Sequence, residues 1–484
     1  MTFSSLILIF VSLFAKNLSI ELSIERIKES DKMIEKQTKK LNLHTFGIIV
    51  TNKTSKMYEK IFGENHKINV NSPFIIGSVS KSFTALAILK LNISLNKTLD
   101  QFDLGKYIDK KDAKKITVSD LLAHISGMEK MGPHIIYERG TYHYSNYDYG
   151  LLGKIIELTC GKSYQDCMKE LIFDPLEMTN TKAKYHEDII ESYDNFLGFR
   201  TKYTGLKSEI GDGFIIPAGY ISSTIEDMGK YLRLYLNLDK GFEYYINKMV
   251  EPKSKIKYNK DYGFGMEIRQ QKNTVIYEHS GGSFSFLCQL SIYPSEDFGI
   301  YVFTNTADYF SISILENFIK DIENFLILDY YEGIDSSFIL PVHFYLDTLY
   351  LIIISIPLTY LIIVIVRKIK KKEYLWFKGI KGKIIFGVDI LILIILPLTI
   401  IIIIYTYSPD LTTTFKMFRD WLFVLFTSCS ALFLTFIIKL VYILLFNRFF
   451  KNLKASKSEN IELVSNSKVE AMNLDNLDDN DNEY

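Results

Sequence analysis

Three long apolar runs near the end of the chain constrain its fold more than any other feature. The runs are residues 344–366, 384–407 and 421–446. At about 1.5 Å of rise per residue, each is long enough to cross a hydrocarbon core about 30 Å thick as a helix. The sequence therefore predicts three transmembrane helices. Their single charged residues, which we expect to reach toward a helix end or to pair within the bundle, are Asp347, Asp389 and Lys439.

The charges in the loops predict how these helices are oriented. Eight Lys and Arg residues separate the first two runs, whereas the loop before the third run holds two basic and two acidic residues. Because basic loops stay on the cytoplasmic side, everything before residue 344 is expected outside the cytoplasm and the C-terminus inside. The protein is thus predicted to be a multi-pass membrane protein. Its expected partners include the lipid bilayer and, through the spans, a membrane partner or a second copy.

A domain outside the cytoplasm requires an export signal. Residues 6–15 form an apolar run of signal-peptide length, so we assign residues 1–20 as a signal peptide, although no Lys or Arg precedes the run. Whether it is cleaved is left open. At the other end, residues 455–484 are polar and increasingly acidic, which predicts a disordered cytoplasmic tail.

Composition excludes one class of partner. The 484 residues include 56 basic and 56 acidic side chains, so the chain has no positive surplus with which to neutralise nucleic acid. Its four cysteines are too few for a disulfide framework. Cys160 and Cys167 flank a predicted helix break and can bridge outside the cell, but their spacing does not settle the pairing.

The remaining residues, about 22–327, are enough for one large domain. The elements predicted from apolar periodicity are a helix at 22–41, strands at 45–50 and 56–62, a helix at 79–93, a mainly helical region at 117–240, and strands within 274–305 separated by turns at 280–282 and 294–297. This order predicts a sheet whose first and last strands come from opposite ends of the domain. A helical insertion would cover one side, with a cleft between sheet and helices.

A pair of residues at the start of the predicted helix at 79–93 is suited to nucleophilic chemistry. Ser78 precedes the helix, and Lys81 follows one turn later on the same face. A serine nucleophile must lose a proton during attack, and a lysine whose pKa is lowered by burial can accept it. Alone, however, Ser-x-x-Lys recurs by chance on many helices.

Two further segments can complete such a site. Tyr144 and Asn146 lie in TYHYSNYDYG, a polar aromatic loop before a helix predicted from Leu151, where Tyr144 can shuttle protons. A surface tyrosine cluster is the alternative. The second segment, YEHSGGSFSF, contains glycines that let a substrate approach the backbone, or that form a hairpin turn. Its candidate residues are His279, Ser280, Gly281 and Gly282.

The three segments in this order resemble the serine β-lactamase and penicillin-binding-protein superfamily, specifically its class C-like branch of D,D-carboxypeptidases, D-aminopeptidases and esterases. Supporting phrases are ITVSDLLAHISGM, YGLLGKIIELTCGKSY, IFDPLEMTNT, PAGYISSTIEDMGKYL and YGFGMEI. The resemblance covers about residues 22–327. It implies an α/β fold of the α+β kind, with an antiparallel sheet flanked by helices and a helical subdomain, here followed by the three-helix transmembrane region. It implies no metal and no organic cofactor.

The resemblance also implies a role for each candidate residue. Ser78 would be the acylated nucleophile and Lys81 its proton acceptor. Tyr144 would activate this pair and later protonate the leaving group. The backbone N–H groups of Ser78 and Gly282 would form an oxyanion hole. Asn146 would contact the substrate amide, and the substrate side of the site would be lined by His279, Ser280 and Gly281.

The sequence departs from the family pattern at two positions. His279 stands where many relatives carry Lys, a lasting cation that helps to bind the carboxylate of penicillins and of D-Ala termini. Tyr220 stands where relatives often have glycine, and either narrows the pocket or fills a helix contact. His124, in DLLAHISGM, is expected to be a hydrogen-bonded structural histidine and not a catalytic base.

The resemblance predicts a membrane-anchored serine hydrolase that acts outside the cytoplasm on a small peptide or amide. The leading hypothesis is a penicillin-binding-protein-like D,D-peptidase or carboxypeptidase acting on cell-wall-type peptides, with β-lactams as candidate ligands. An exported domain followed by three spans also resembles prodrug-activating peptidases, such as the one that matures colibactin, which remove an N-acyl-D-amino-acid cap. A β-lactamase, an esterase and a non-catalytic sensor or binding protein are further alternatives.

Overall fold

The structure is a computed structural model that divides into two units, Met1–His343 and Phe344–Tyr484. It describes residues 24–445, together with Asn466, with gaps at 66, 197–198, 238–240, 272, 284, 308–311, 329–338, 371–378 and 408–421. The expected signal peptide and, apart from Asn466, the expected cytoplasmic tail lie outside the described residues.

The first unit alternates strands and helices. Its helices are α1 Ile24–Lys40, α2 Ser80–Lys90, α3 Lys110–Ala113, α4 Val118–Leu122, α5 Asn146–Cys160, α6 Tyr164–Met168, α7 Leu206–Ile210, α8 Ile216–Gly219, α9 Ile225–Leu236, α10 Glu243–Met249 and α11 Ile312–Leu328. Its strands are β1 Thr45–Thr51, β2 Lys56–Gly63, β3 Phe74–Ile75, β4 Ser192–Phe196, β5 Phe199–Tyr203, β6 Ser222–Ser223, β7 Ser254–Lys257, β8 Lys260–Tyr262, β9 Glu267–Gln271, β10 Thr274–Gly282, β11 Leu287–Tyr293 and β12 Phe298–Thr304.

Eight strands form one antiparallel sheet in the order β2-β1-β12-β11-β10-β9-β8-β7. The first long strand therefore lies beside the last, with Phe46 of β1 opposite Thr304 of β12. This confirms the predicted fold class, an antiparallel sheet that is flanked by helices and closed by strands from both ends of the domain. Two short pairs, β3 with β6 and β4 with β5, lie outside this sheet.

Helices cover both faces of the sheet, which explains why every residue of β1 and of β12 is buried. Because successive side chains point to opposite faces, Ile48 and Val50 join the apolar cluster that includes Phe318 of α11. Ile49, between them, joins the larger cluster formed with the helical region. Helix α2 runs through that region and is buried along its length from Ser80 to Leu89.

Local side-chain signals start several helices. Thr117 and Asp120 form a reciprocal capping box at α4, and the Ser145 side chain accepts from Asp148 N at the start of α5. Helix α5 therefore begins at Asn146, five residues before the predicted start. The turn expected at 280–282 is also wrong, because β10 continues in register with β11 through Gly282.

The two cysteines left open by the sequence are joined. Cys160 ends α5 and Cys167 lies in α6, and their sulfurs form a disulfide across a Cα separation of 6.3 Å. Gly161, with φ 69°, turns the chain between the two helices in the left-handed conformation that glycine adopts at low cost. The bridge therefore reinforces this turn.

Among its described residues, the second unit has three helices long and apolar enough to cross a membrane. The first span is Thr348–Arg367, within α12 Ile339–Ile369. The second span is Gly379–Ile403, and it consists of α13 Gly379–Ile390, a π-helical turn at Leu391–Ile395 and the first part of α14 Leu396–Tyr407. The third span is α15 Leu422–Leu445. These helices fall on the three predicted runs. Their orientation across a membrane stays a prediction.

The charges of the second and third helices form a pair inside this unit. Lys439 Nζ lies 2.8 and 2.9 Å from the carboxylate oxygens of Asp389. The Tyr360 hydroxyl of the first helix donates to Asp389 Oδ1 at 3.0 Å and accepts from Lys439. Of the two expectations for these charges, pairing within the bundle is the one observed. The side chain of Asp347 lies outside the described residues.

This pair predicts a double-mutant result. Asp389→Leu or Lys439→Leu leaves one charge without its partner inside an apolar bundle, at a cost of about 3 to 5 kcal/mol in the free energy of unfolding. The double variant removes both charges and should recover most of that loss. Heat inactivation of the full-length protein in lipid nanodiscs measures the effect, with exposed Lys383→Leu as the control. Additive losses in the double variant would contradict the pairing.

Candidate active site

Ser78 lies in a tight 3₁₀ turn, Gly77–Val79, that leads into α2. This turn packs directly on strand β10. Gly77 has φ 52°, and a Cβ there would lie 2.3 Å from the backbone nitrogen of Gly282. A Cβ on Gly281 would lie 2.3 Å from the carbonyl oxygen of Ile76. Both glycines are therefore required for the close approach that sets the Ser78 hydroxyl beside the end of β10.

Lys81 is fully buried one turn after Ser78. Its Nζ lies 3.2 Å from Ser78 Oγ and donates to Asn146 Oδ1 at 2.7 Å and to the carbonyl oxygen of Ala218 at 2.6 Å. The Nζ also lies 4.6 Å from the centre of the Tyr144 ring. The amine is thus held by α5, by α8 and by Ser78.

The surroundings of Lys81 favour its neutral form. Burial lowers the pKa of Lys81 well below its usual value, and the charge of Lys130 lowers it further, while Asp148 acts in the opposite direction. A neutral amine has two N–H groups and one lone pair. In the neutral form, Asn146 and Ala218 would accept the two N–H groups, and the lone pair would face the Ser78 hydroxyl.

Tyr144 also contacts Ser78. Its hydroxyl donates to Ser78 Oγ at 2.6 Å. Burial raises the pKa of Tyr144 above its usual value, although the hydrogen bond to Ser78 acts against this shift. The side chain is therefore a phenol at neutral pH, able to give a proton to a group near Ser78.

Asn146 is the first residue of α5, two positions after Tyr144. Its Oδ1 is taken by Lys81, and its Nδ2 donates to the sulfur of Met131 at 3.3 Å. In this structure the side chain therefore orients the lysine. Met131 is 58% exposed, so the Nδ2 end of Asn146 borders an apolar rim of the site.

His279 is buried on β10 with both ring nitrogens close to polar atoms. Nδ1 lies 2.7 Å from the Ser280 carbonyl oxygen, and Nε2 lies 3.2 Å from the Tyr262 hydroxyl. A carbonyl only accepts, so Nδ1 carries the proton and Nε2 accepts from Tyr262. Burial lowers the pKa of His279 to about 4. The residue that replaces the family's lysine is thus neutral and already hydrogen-bonded.

The structure brings all the predicted site residues to one place, at the junction of the turn before α2, the start of α5 and the end of β10. Sequence reasoning missed the Ala218 carbonyl, Met131 and Tyr262. The first and the last lie in the phrases PAGYISS and YGFGMEI, which were recognised only as supporting segments. Tyr220 donates to Glu209 at 3.0 Å and packs on the helical core.

The described part of the chain brings together no group of three or more His, Cys, Asp or Glu side chains that could hold a metal ion.

Comparison with known proteins agrees with the geometry. The profile of the family described as "Beta-lactamase" matches residues 31–314. "Beta-lactamase-like protein 4" of Dictyostelium discoideum is 27% identical in a match that covers 44% of this chain and 45% of that protein. "Protein flp" of Staphylococcus aureus (strain N315) is 23% identical over 61% of this chain and 66% of its own length. The matched region thus spans less than half of the Dictyostelium relative.

A solved structure shares the fold. The octameric penicillin-binding protein homologue from Pyrococcus abyssi matches with a TM-score of 0.50 and 22% identity, over 61% of this chain and 77% of that one.

The neutral amine predicts a pH dependence for labelling of Ser78 by a fluorophosphonate. The rate should fall on acidification through the pKa of Lys81, because a protonated amine has no lone pair. Since burial lowers that pKa well below the usual lysine value, the rate should fall at a lower pH than an ordinary lysine would give. Gel fluorescence of the full-length protein in membranes, between about pH 5 and about pH 10, measures the rate.

Lys81→Arg should slow this labelling by at least about 100-fold, because a guanidinium does not deprotonate. The exposed control Lys114→Arg should react at the parent rate. A pH-independent rate, or a fast Lys81→Arg variant, would show that Lys81 is not the base.

Proposed function

The chain belongs to the beta-lactamase family, within the superfamily of serine hydrolases with the penicillin-binding-protein-like fold. From this premise we propose that it is a membrane-anchored hydrolase that forms an acyl-enzyme on Ser78. Its leading substrate class is a small cell-wall-type peptide, cleaved as by a D,D-peptidase or carboxypeptidase. The observation that carries the proposal is the contact of Ser78 Oγ with both Lys81 Nζ and the Tyr144 hydroxyl.

The contacts give a balanced path for the proton during acylation. Ser78 Oγ attacks the substrate carbonyl and its proton passes to the lone pair of Lys81. When the C–N bond breaks, the leaving nitrogen takes the proton of the Tyr144 hydroxyl, which is restored from Lys81. In deacylation a water molecule replaces the leaving group, the same pair takes its proton, and Ser78 recovers its own.

The backbone near Ser78 supports the transition state in this proposal. Attack places negative charge on the carbonyl oxygen, and the N–H groups of Ser78 and Gly282 are the donors proposed to stabilise it. The close packing of Gly77 on Gly282 supports this role, since it holds the two peptide units near each other. Ser280 and Gly281 would contact the substrate along β10.

Three helices able to span a membrane support the proposed location. The basic loop after the first span favours a catalytic unit outside the cytoplasm and a cytoplasmic C-terminus. In this location the enzyme would meet peptides of the cell wall or compounds leaving the cell. The bilayer is the proposed partner, and association of the spans with another membrane protein or a second copy is part of the same proposal.

One observation favours a second candidate function. The neutral, fully engaged His279 offers no cation for a substrate carboxylate. This favours the removal of an N-acyl-D-amino-acid cap from an internal amide, as by a prodrug-activating peptidase, or the cleavage of an ester. Two further alternatives are a β-lactamase and a penicillin-binding sensor without turnover. The lifetime of a penicillin label on the protein would distinguish them.

The first test is labelling of Ser78 in membranes by a fluorescent penicillin and, in parallel, by a fluorophosphonate. We expect both probes to depend on Ser78, with Ser78→Ala unlabelled and Ser280→Ala still labelled by the fluorophosphonate. A penicillin label that persists after removal of the probe supports a D,D-peptidase, and one that decays supports a β-lactamase. Labelling by the fluorophosphonate alone favours the acyl-cap or ester candidates. Ser78-independent labelling by both probes would refute the acyl-enzyme.

His279 gives a test of substrate charge. Replacing it by Lys restores a cation, so His279→Lys should raise the rate of penicillin labelling about tenfold, the scale of one favourable charge contact. Fluorophosphonate labelling should change less than about threefold, because that probe has no carboxylate to bind. The neutral control is His279→Gln. Equal penicillin rates in the parent and the Lys variant would show that His279 does not set this preference.

A further inference from the structure

One buried histidine contacts the chain on both sides of Tyr144. The N–H of His143 donates to the carbonyl oxygen of His124 at 2.8 Å, and the N–H of Ser145 donates to its ring Nδ1 at 3.2 Å. The imidazole also lies 4.6 Å from the Tyr144 ring, measured between centroids. His124 therefore accepts the N–H groups of the two residues on either side of Tyr144 and also contacts its ring.

The backbone of His124 is held in an unfavourable conformation. Its φ is 57°, in the left-handed region that only a few per cent of non-glycine residues adopt, although histidine is found there more often than most. It follows α4 and is fully buried. Such a conformation persists only where the surroundings impose it. Here it directs the carbonyl and the ring of one residue toward the same tyrosine segment.

A second set of contacts fixes the ring of His124. Its Nδ1 lies 3.3 Å from Asp148 Oδ2, while the Ser126 hydroxyl donates to Asp148 Oδ1 at 2.7 Å. Burial raises the pKa of Asp148 and lowers that of His124 below its usual value, so the imidazole is neutral at pH 7. With Nδ1 unprotonated, it can accept from the Ser145 N–H.

The arrangement differs from a catalytic dyad. The hydrogen bonds of the His124 ring run to the segment of Tyr144 and to Asp148, whereas Ser78 is bonded by Tyr144 and Lys81. Its influence on the reaction must therefore pass through the position of the Tyr144 hydroxyl. That hydroxyl lies 2.6 Å from Ser78 Oγ, a distance at which a displacement of about 1 Å costs on the order of 100-fold in rate.

We propose that His124 is a positioning residue for Tyr144, which holds the phenol hydroxyl on Ser78 by accepting the peptide N–H groups on both sides of it. This proposal rests on the proposed function, since it requires Tyr144 to take part in acylation. A histidine that only fills the core would stabilise the fold without selecting the direction of the phenol.

Two nearly isosteric replacements separate these roles. His124→Asn keeps an acceptor close to the place of Nδ1 and tolerates the positive φ, whereas His124→Leu has a similar shape and no acceptor. In membranes, fluorophosphonate labelling of the full-length protein should slow less than about fivefold in the Asn variant and about 100-fold in the Leu variant. His124→Gly, which relieves the backbone strain and also lacks the acceptor, should be as slow as Leu. The exposed control is His134→Asn.

A double-mutant cycle with Tyr144→Phe tests whether the effect passes through Tyr144. Tyr144→Phe alone should slow labelling about 100-fold, and adding His124→Leu or His124→Gly should slow it less than about threefold more. The amount of full-length protein that resists added protease is measured in the same membranes. Labelling rates are expressed per protease-resistant molecule, so that a smaller folded fraction in a variant is not mistaken for a slower reaction.

The outcomes separate the two hypotheses. If Tyr144→Phe reacts at the parent rate, the role of Tyr144 in the proposed function fails, and the positioning role fails with it. Two results would overturn only the positioning role while Tyr144→Phe is itself slow. In the first, the His124→Leu and His124→Gly variants react at the parent rate. In the second, these substitutions slow the Tyr144→Phe variant by the same factor as they slow the parent. Equal rates in the Asn and Leu variants overturn it as well.

Discussion

The burial of the Lys81 amine is the constraint on which the organisation of the helical region depends. A charged amine removed from water costs several kcal/mol, and the neutral form still requires partners for its N–H groups. These partners are a side-chain oxygen at the start of α5 and a carbonyl of α8. Helices α2, α5 and α8 must therefore pack together before the amine is satisfied, and the same packing presents its lone pair to Ser78.

Features written in local sequence could be predicted. Alternation of apolar residues predicted β1 and β2 almost to their ends. The Ser-x-x-Lys spacing predicted that Ser78, in the turn before α2, and Lys81, in α2, lie on the same side. The order of strands and helices along the chain was enough to predict a sheet in which strands from the two ends of the domain lie side by side. The candidate residues of three distant segments were brought together by the family resemblance, because spacing alone carries no information about contacts between them.

Contacts between distant elements account for what the sequence did not reveal. Nothing in the local pattern indicates that the Ala218 carbonyl accepts from Lys81, because a backbone oxygen has no sequence signature. The start of α5 was misplaced because Tyr147 and Tyr149 resemble a polar aromatic loop, whereas the Ser145 cap and the burial of Tyr149 favour helix. Similarly, Asp389 and Lys439 could have reached separate helix ends, and only their positions on packed helices select pairing.

Burial disfavours full charge on the contacting groups of the site, and this has a consequence for the substrate. Lys81 and His279 both have lowered pKa values, and Tyr144 has a raised one, each because of burial. A substrate that brings a carboxylate to His279 would have to lose water without gaining a cation there. In contrast, a neutral amide or ester develops charge only during attack, when backbone donors in a region of low dielectric act most strongly. Burial of these three side chains therefore favours the transition state of acyl transfer over the binding of an anionic ground state.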